Sequence, residues 1–589
     1  MDNQRNLLLA LVLSALLLFG WDFVMRTYYP EPAPSEVAAQ PDSPSDMAAS
    51  ATPGGSDGTS EASIERDLDT ALASADRIAI DAPEVVGSLN PVGARVDDIE
   101  LKTHRQTVEK DSGPVQLLAP LGTPLQHFAR FDWVGEGVAL PDANTVWKKI
   151  DGDTLTQTTP VTLGWDNGAG LTFGLRFAID DKYMITVTQS VKNGTESAVA
   201  LRPRAIINRT STNASHDMWV VQSGPVAAIN EKLDFGTNYD DVAEDGTVRL
   251  EGRPDWLGFT DIYWMSALIP DENAASGSFT NAGQDKFAAV LLYDAANVAA
   301  GETLTRTTRL FAGAKESATL DAYESAGVTK FGRAIDWGTF GFIVWPFWQV
   351  LIFLFGLTKN FGVAIICLTL IVRLVMFPIA NKQFASMAQM RAVQPKMKAL
   401  QERYKDDKAQ LQQEMAKLYK EEKVNPLAGC LPIFLQIPIF FALYKTLLLT
   451  IEMRHQPFVA WIRDLSAPDP ANLHNLLVTM GINPPGFLSI VLALSVMAVL
   501  LGITMWLQFK LNPSTMEPTQ QQIFMIMPWV LMFVMAPFAA GLLLYWITSN
   551  ILTLGQQKLL YARHPQLKAQ IEKDREDKAR AAEREKAKG

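Results

Sequence analysis

Cysteine is nearly missing from this chain. The sequence holds two, Cys367 and Cys430, and none before position 367, so no fold in the long polar first half depends on disulfides. The six histidines (His104, His127, His216, His455, His474, His564) are scattered, with no HExxH or paired spacing. No Walker A loop, GxSxG elbow or CxxC pair occurs. These absences leave no catalytic constellation, no metal-ligand set and no cofactor motif, and the chain reads as a non-enzyme without a cofactor. Nothing points to nucleic acid as a partner. A last absence is local: the apolar runs of the second half carry no Asp or Glu.

What is present is uneven. Hydrophobic residues make up 48% of the chain and the net charge is −11, but neither average describes either half. Leu7 to Phe23 is an apolar run followed by FGWDFVMRTYYP rather than a small-residue cleavage site, so an uncleaved anchor over 1–26 is expected. A Pro-, Ala-, Ser- and Gly-rich stretch over 27–62 has the composition of a flexible linker. Over 63–334, segments such as DRIAIDAP, DKYMITVTQSVKNGT and VALRPRAIINRT are short, β-branched and bounded by Gly, Asn, Pro or Asp. No long amphipathic helix interrupts them before AKESATLDAYESAG, which predicts an antiparallel β-sandwich rather than a parallel βαβ fold.

From Phe340 onward, apolar runs of spanning length recur, so a polytopic α-helical membrane protein is predicted. TFGFIVWPFWQVLIFLFGLT and FGVAIICLTLIVRLVMF are separated only by Lys359 and Asn360. If both crossed, the loop Asn381 to Asn425, with ten Lys and Arg, would share a side with the β domain. Basic loops of this length stay cytoplasmic, so the first segment, marked by Trp337, Trp345, Trp348 and Pro346, is expected as an interfacial amphipathic helix over 335–358. Parity then places spans at about 361–378, 429–449, 487–509, 523–537 and 541–558 within a core of 359–561. Together with the anchor this makes six transmembrane helices, the β domain outside and both termini cytoplasmic. The charged tail 562–589 follows. Within the cytoplasmic loop 381–425, Met387, Met390, Met397 and Leu400 and then Leu411, Met415 and Leu418 recur at helical spacing, with YKDD as a break; a helical hairpin with an adaptable Met-bearing face is expected.

Arg373 stands inside TLIVRLVMFP. A guanidinium at the bilayer centre costs about 2.5–3.5 kcal/mol on insertion scales. Three readings fit it: a stem that snorkels to the cytoplasmic interface, half of a buried ion pair, or a residue on the wall of a water-filled recess. The apolar runs offer no acid, which weakens the second. For the third, Thr369, Gln436, Gln508, Ser549 and Asn550 are the polar residues available to line a recess.

IVRLVMFP, NKQFASMAQMRAVQPKMKALQERYKDDK, KVNPLAGCLPIFLQIPIFFALYK, FVAWIRDLSAPDP and GLLLYWITSNILTLGQQKLL resemble the YidC/Oxa/Alb family of membrane protein insertases in its Gram-negative form. The resemblance covers about Phe340 to Tyr561; the anchor, the linker, the cysteine-free β domain and PDWLGFTDIYWMSALIP fit the same form. It implies a periplasmic β-supersandwich, five core spans in the bacterial inner membrane, and a hydrophilic groove open to cytoplasm and lipid and closed to the periplasm. Arg373 would be the groove charge, with Thr369, Tyr545 and Trp546 meeting substrate; the family's usual Tyr-Tyr pair reads Tyr-Trp here. Nascent membrane proteins, the lipid bilayer, the Sec translocon and the ribosome are the implied partners. The alternatives weighed are a transporter or channel, against which stands the lack of inverted repeats or charge rings, and a membrane-tethered sugar-binding protein, which would need convergent acids in a cleft.

Overall fold

The computed structural model describes residues 67–73, 76–109, 111–211, 222–270, 276–283, 285–338, 340–404, 407–422, 431–482, 492–511 and 518–563. All of them belong to one compact unit, Asp57–Gly589. The expected anchor at Leu7 to Phe23, most of the linker and the tail beyond 563 lie outside the described residues.

The first half folds as two antiparallel sheets. In the ten-stranded sheet, Val199–Thr210 is central, pairing with His127–Val134 on one side and Lys286–Leu292 on the other. In the nine-stranded sheet, Thr303–Ala314 lies between Trp264–Pro270 and Met184–Asn193. The period-2 geometry of a strand sends alternate side chains to opposite faces. Leu171–Ile179 accordingly alternates buried Leu171, Phe173, Leu175, Phe177 and Ile179 with less buried Thr172, Gly174, Arg176 and Ala178. The two sheets share one core: Phe131 meets Phe177 and Trp133 meets Phe173 edge to face across it, with ring centroids 6.3 and 4.9 Å apart. All strand pairings between described strands are antiparallel, as the short β-branched segments predict. The helix expected in AKESATLDAYESAG is Ser317–Ser325.

The second half is helical: α1 Gly341–Thr358, α2 Phe361–Arg403, α3 Lys408–Glu421, α4 Leu431–Leu449, α5 Leu473–Thr479, α6 Val496–Leu511, α7 Pro518–Met535 and α8 Ala540–Arg563. By length and composition, two described segments can each cross a membrane, Gly341–Thr358 and Phe361–Lys382. Exposed Phe342, Phe353 and Leu357 give α1 an apolar outer surface rather than a polar one. Lys359, with φ 54°, and Asn360, which caps α2 by accepting from Val363 N at 3.1 Å, make the turn between α1 and α2.

Two helix boundaries do not coincide with the expected ends of spans. A span ending at Pro378 is expected, yet α2 continues for 43 residues through Pro378 and Pro395. A proline removes one hydrogen bond from the helix ladder, and the Ala-, Met-, Gln- and Lys-rich sequence that follows restores helix within a turn. A span over about 487–509 is expected; residues 483–491 lie outside the described residues, and the described helix α6 starts at Val496. There Ser495 bridges to Asn472 and its hydroxyl accepts from Ala498 N, which fixes the helix start.

The halves meet at the last turn of α4. Leu449 and Ile451 are buried in the core of the β domain, with Phe441, Tyr444 and Leu448 packed against it. Lys445 donates to Asp336 at 3.1 Å.

Candidate functional site

Three rows of side chains at i, i+4 spacing meet inside the helical half. Residues four apart share a helix face. Thr369 and Arg373 form the row on α2, Gln436 and Phe440 the row on α4, and Tyr545 and Ser549 the row on α8. Arg373 Nε donates to Ser549 Oγ at 3.1 Å, and its Nη2 contacts the same oxygen. Gln436 Nε2 donates to Tyr545 Oη at 3.0 Å. The guanidinium is half-buried, and the group acting on it electrostatically is Tyr545 rather than a carboxylate. Among the described residues Arg373 belongs to no ion pair, as the lack of acids in these runs leads one to expect.

The remaining predicted residues fall around this cluster. Trp546, next along α8, packs its ring on Phe440 with centroids 5.1 Å apart. Asn550, four residues further, donates to Thr504 of α6 at 3.2 Å and so faces the neighbouring helix rather than Arg373. Gln508, one turn beyond Thr504, is half-buried. Thr369 is fully buried and spends its hydroxyl on the carbonyl of Ile365 at 2.6 Å. Tyr545 is buried as well. Arg373, Ser549, Tyr545 and Gln436 are thus brought together, and Asn550 and Gln508 are not part of that group. Around it, Leu370, Leu374, Val375 and Ile437 are exposed apolar residues on the outer faces of α2 and α4.

The hairpin closes on a small apolar core. Val393 and Leu418 are buried, with Met397 and Leu400 against them. Helix α2 ends at Arg403, and Asp407 caps α3 by accepting from Gln410 N at 2.9 Å, so the turn lies at YKDD. The side chains of Met387 and Met390 are outside the described residues.

Sequence reading missed two features. Lys445 is buried within an apolar run and held by Asp336; its charge near the end of α4 was the available signal. Asp464 and Asp469, in FVAWIRDLSAPDP, organise the loop after α4; their Asp-x-Ser and Asp-Pro-Ala contexts suit side-chain-to-backbone turns.

An antiparallel β domain of two sheets joined to long apolar helices, two of which can cross a membrane, defines the class of an α-helical membrane protein with a large β domain. The family described as YidC periplasmic domain matches residues 77–350, and the family described as 60Kd inner membrane protein matches residues 353–568. A membrane protein insertase YidC of Zymomonas mobilis is 41% identical, covering 95% of this chain and 96% of its own. One of Beijerinckia indica is 40% identical, covering 95% and 96%. A crystal structure of an active YidC insertase with its first transmembrane domain resolved is 19% identical, covers 82% of this chain and 92% of its own, and has a TM-score of 0.35. The chain belongs to the YidC family of membrane protein insertases. Its relatives are named as insertases and not as enzymes.

Proposed function

We propose that this membrane protein insertase works through a hydrophilic groove whose fixed charge is Arg373, taking up nascent inner-membrane proteins from the cytoplasmic side. The observation that carries this reading is Arg373 itself. It lies mid-run on α2, held by a neutral hydroxyl and coupled to no acid, which leaves a net positive charge at membrane depth. A hydrophobic segment with a polar flank must bring that flank across roughly 30 Å of hydrocarbon. A recess reaching partway shortens the dry path, and a fixed cation attracts acidic or polar flanks into it. The apolar segment then moves between helices into lipid, driven by burial of its own surface. Thr369, Tyr545 and Trp546 are assigned to meet that segment, and Gln436, Gln508, Ser549 and Asn550 to line the polar route.

The same reading assigns six transmembrane helices. The β domain, a periplasmic supersandwich over 63–334, follows the anchor 1–26 and the linker 27–62. The core is 359–561, and 335–358 is an interfacial helix. The hairpin 381–425, the tail 562–589 and both termini are cytoplasmic, and the ribosome and the Sec translocon are partners. Basic loop composition supports this orientation.

The test is protease protection of a panel of nascent substrates in vesicles carrying each variant. Arg373→Ala lowers insertion of substrates with charged translocated flanks, by about tenfold if the lost attraction is ~1.4 kcal/mol. Arg373→Lys keeps the charge and loses the planar fork, so it retains much of the insertion. Short uncharged flanks suffer less. Equal insertion by Arg373→Ala across the panel would return Arg373 to a snorkelling anchor.

A further inference from the structure

Just beyond the end of α4, the chain and the β domain enclose a cavity of about 370 Å³. One wall is the end of the strand Arg95–Arg105 with the turn that follows it, and the other is Arg454 to Gln456. The turn is braced, Gln106 N donating to Gly113 O at 3.0 Å and Thr107 N to Ser112 Oγ at 2.9 Å. The lining is polar and basic, with His104, Arg105, Arg454 and His455 against one acid, Glu109. Glu109 in turn lies 3.4 Å from the guanidinium of Arg463.

Arg454 is held rigidly without being neutralised. Its Nη1 and Nη2 donate to Arg105 O and Gln106 O at 2.7 and 3.1 Å, and its guanidinium carbon lies 5.2 Å from the Trp264 ring centre and 5.9 Å from that of Tyr263. A guanidinium has five N–H donors, and here two go to neutral carbonyls. Among the described residues no carboxylate forms an ion pair with it, and Asp464 acts on it from farther away. A planar fork fixed in this way suits the oxygens of a phosphate. The other nearby carboxylates are engaged: Glu316 accepts from Tyr183 Oη at 3.1 Å and Thr319 Oγ1 at 2.8 Å, and Asp464 from Ser466 N and Oγ at 2.8 and 2.6 Å. His455 has φ 60°, a region that non-glycine residues rarely adopt. Burial and the Arg454 charge lower its pKa from 6.5, so near neutral pH its ring is an uncharged hydrogen-bonding group. The positive charge of the cavity therefore comes chiefly from its arginines.

The position of the cavity indicates where a phosphate comes from. Arg454 follows Leu449, the end of α4, by five residues, so it lies within roughly 17 Å of the helix end. On the same loop Val459 and Trp461 are exposed, a composition that suits the headgroup layer. We propose that this cavity binds the phosphate group of an anionic phospholipid of the outer leaflet, with Arg454 as its fixed cation and Arg105, Thr107 and Gln456 around it. The outer-leaflet assignment rests on the orientation given above, which puts the end of α4 outside. The bound phosphate touches both walls of the cavity and so ties the loop after α4 to the β domain.

The test titrates phosphatidylglycerol into the purified full chain in maltoside micelles, which carry no phosphate, and counts retained lipid by native mass spectrometry. Gln456 lines the cavity, so changing its charge leaves the hydrogen bonds of Arg454 in place. Gln456→Glu raises the Kd of the first lipid about fivefold, the effect of one charge near a membrane surface, and Gln456→Lys lowers it by a similar factor. Thr305→Glu, an exposed site near the start of the strand Thr303–Ala314, leaves it unchanged. The series is repeated with inorganic phosphate as competitor. Retention that follows the series and resists inorganic phosphate assigns the lipid headgroup. Displacement by inorganic phosphate with the same ranking assigns a soluble phosphate to the same cavity. Equal retention by all four proteins, or equal shifts for Gln456→Glu and Thr305→Glu, would overturn the site. No substrate is inserted in this assay, so its outcome does not depend on Arg373. Labelling of Gln456→Cys by an impermeant maleimide in spheroplasts, in a Cys367→Ser and Cys430→Ser background, checks the orientation separately. Protection there would overturn the outer-leaflet assignment.

Discussion

His127 lies in a strand of the ten-stranded sheet with its ring enclosed, Nε2 2.8 Å from Ser266 Oγ of the opposite sheet. Burial lowers its pKa from 6.5 to about 3, the nearby Arg209 guanidinium adding to the effect, so the folded protein keeps the ring neutral. The unfolded chain takes up a proton below about 6.5 and the folded one does not, so stability rises with pH across that window and falls as pH drops from about 6.5 toward 3. At one pH unit below the unfolded value the loss approaches ~1.4 kcal/mol. Thermal unfolding of the full chain in detergent at pH 7.5 and 5.5 checks this. His127→Gln, which keeps a polar group facing Ser266, loses less between the two; an unchanged difference would place the acid sensitivity elsewhere. Nothing in the sequence around His127 marks it as buried, because HFARFDWV is too short a run to separate a core strand from a half-exposed one. Arg373 was legible for the opposite reason: a charge in a long apolar run stands out whatever the fold. Its partner Ser549 was legible only as one of several polar residues, since which helix faces which is a tertiary fact.

At the scale of elements, both arms of the hairpin were readable as helices, and the unbroken join of the first arm to the run before it was not. The heptad-like spacing of Leu411, Met415 and Leu418 and the YKDD break correspond to α3 and the turn before it. Helix α2 runs unbroken through Pro378 and Pro395; a proline costs a helix roughly 3 kcal/mol yet leaves the flanking turns free to form. The hairpin's own core is small, with Val393 and Leu418 buried and Met397 and Leu400 beside them, and an ion pair of Lys396 with Glu422 at its exposed edge. Surface ion pairs contribute about 0–1 kcal/mol, so the arms are held mainly by those apolar side chains. Leu418→Asp therefore parts the arms, costing about 3 kcal/mol of local packing. Deleting Ala385 to Lys420 removes most of both arms. The expected outcome is loss of insertion for both, with the transmembrane helices still folded. Complementation of a depletion strain, with circular dichroism of the purified variants, reads the two apart. Full complementation by the deletion would reduce the hairpin to a connector.

For the whole molecule, what matters is how the β domain is fastened to the helices, and here the sequence was silent because every contact joins residues far apart in the chain. Arg454 donates to Arg105 O and Gln106 O at 2.7 and 3.1 Å and lies over the Trp264 ring at 5.2 Å, so the DIYW turn of the β domain receives the loop after α4. The deeper fastening is Lys445 with Asp336. Lys445's side chain is 3% exposed and Asp336's 24%, so the two partners do not carry equal risk. Removing one partner of a buried pair typically costs 3–5 kcal/mol, because the other charge is left in low dielectric, whereas replacing both is often near neutral. Asp336→Asn strands the buried ammonium. Lys445→Met strands a carboxylate that retains water on one side and lies near the ammonium of Lys315, which acts on it electrostatically. The expected order of melting temperature for the full chain in detergent is therefore wild type, then Lys445→Met, then Asp336→Asn lowest. The double variant should recover most of what Asp336→Asn loses. If Asp336→Asn melts with wild type, the pair is an exposed contact of little weight, and the fastening rests instead on Leu449 and Ile451 in the β core.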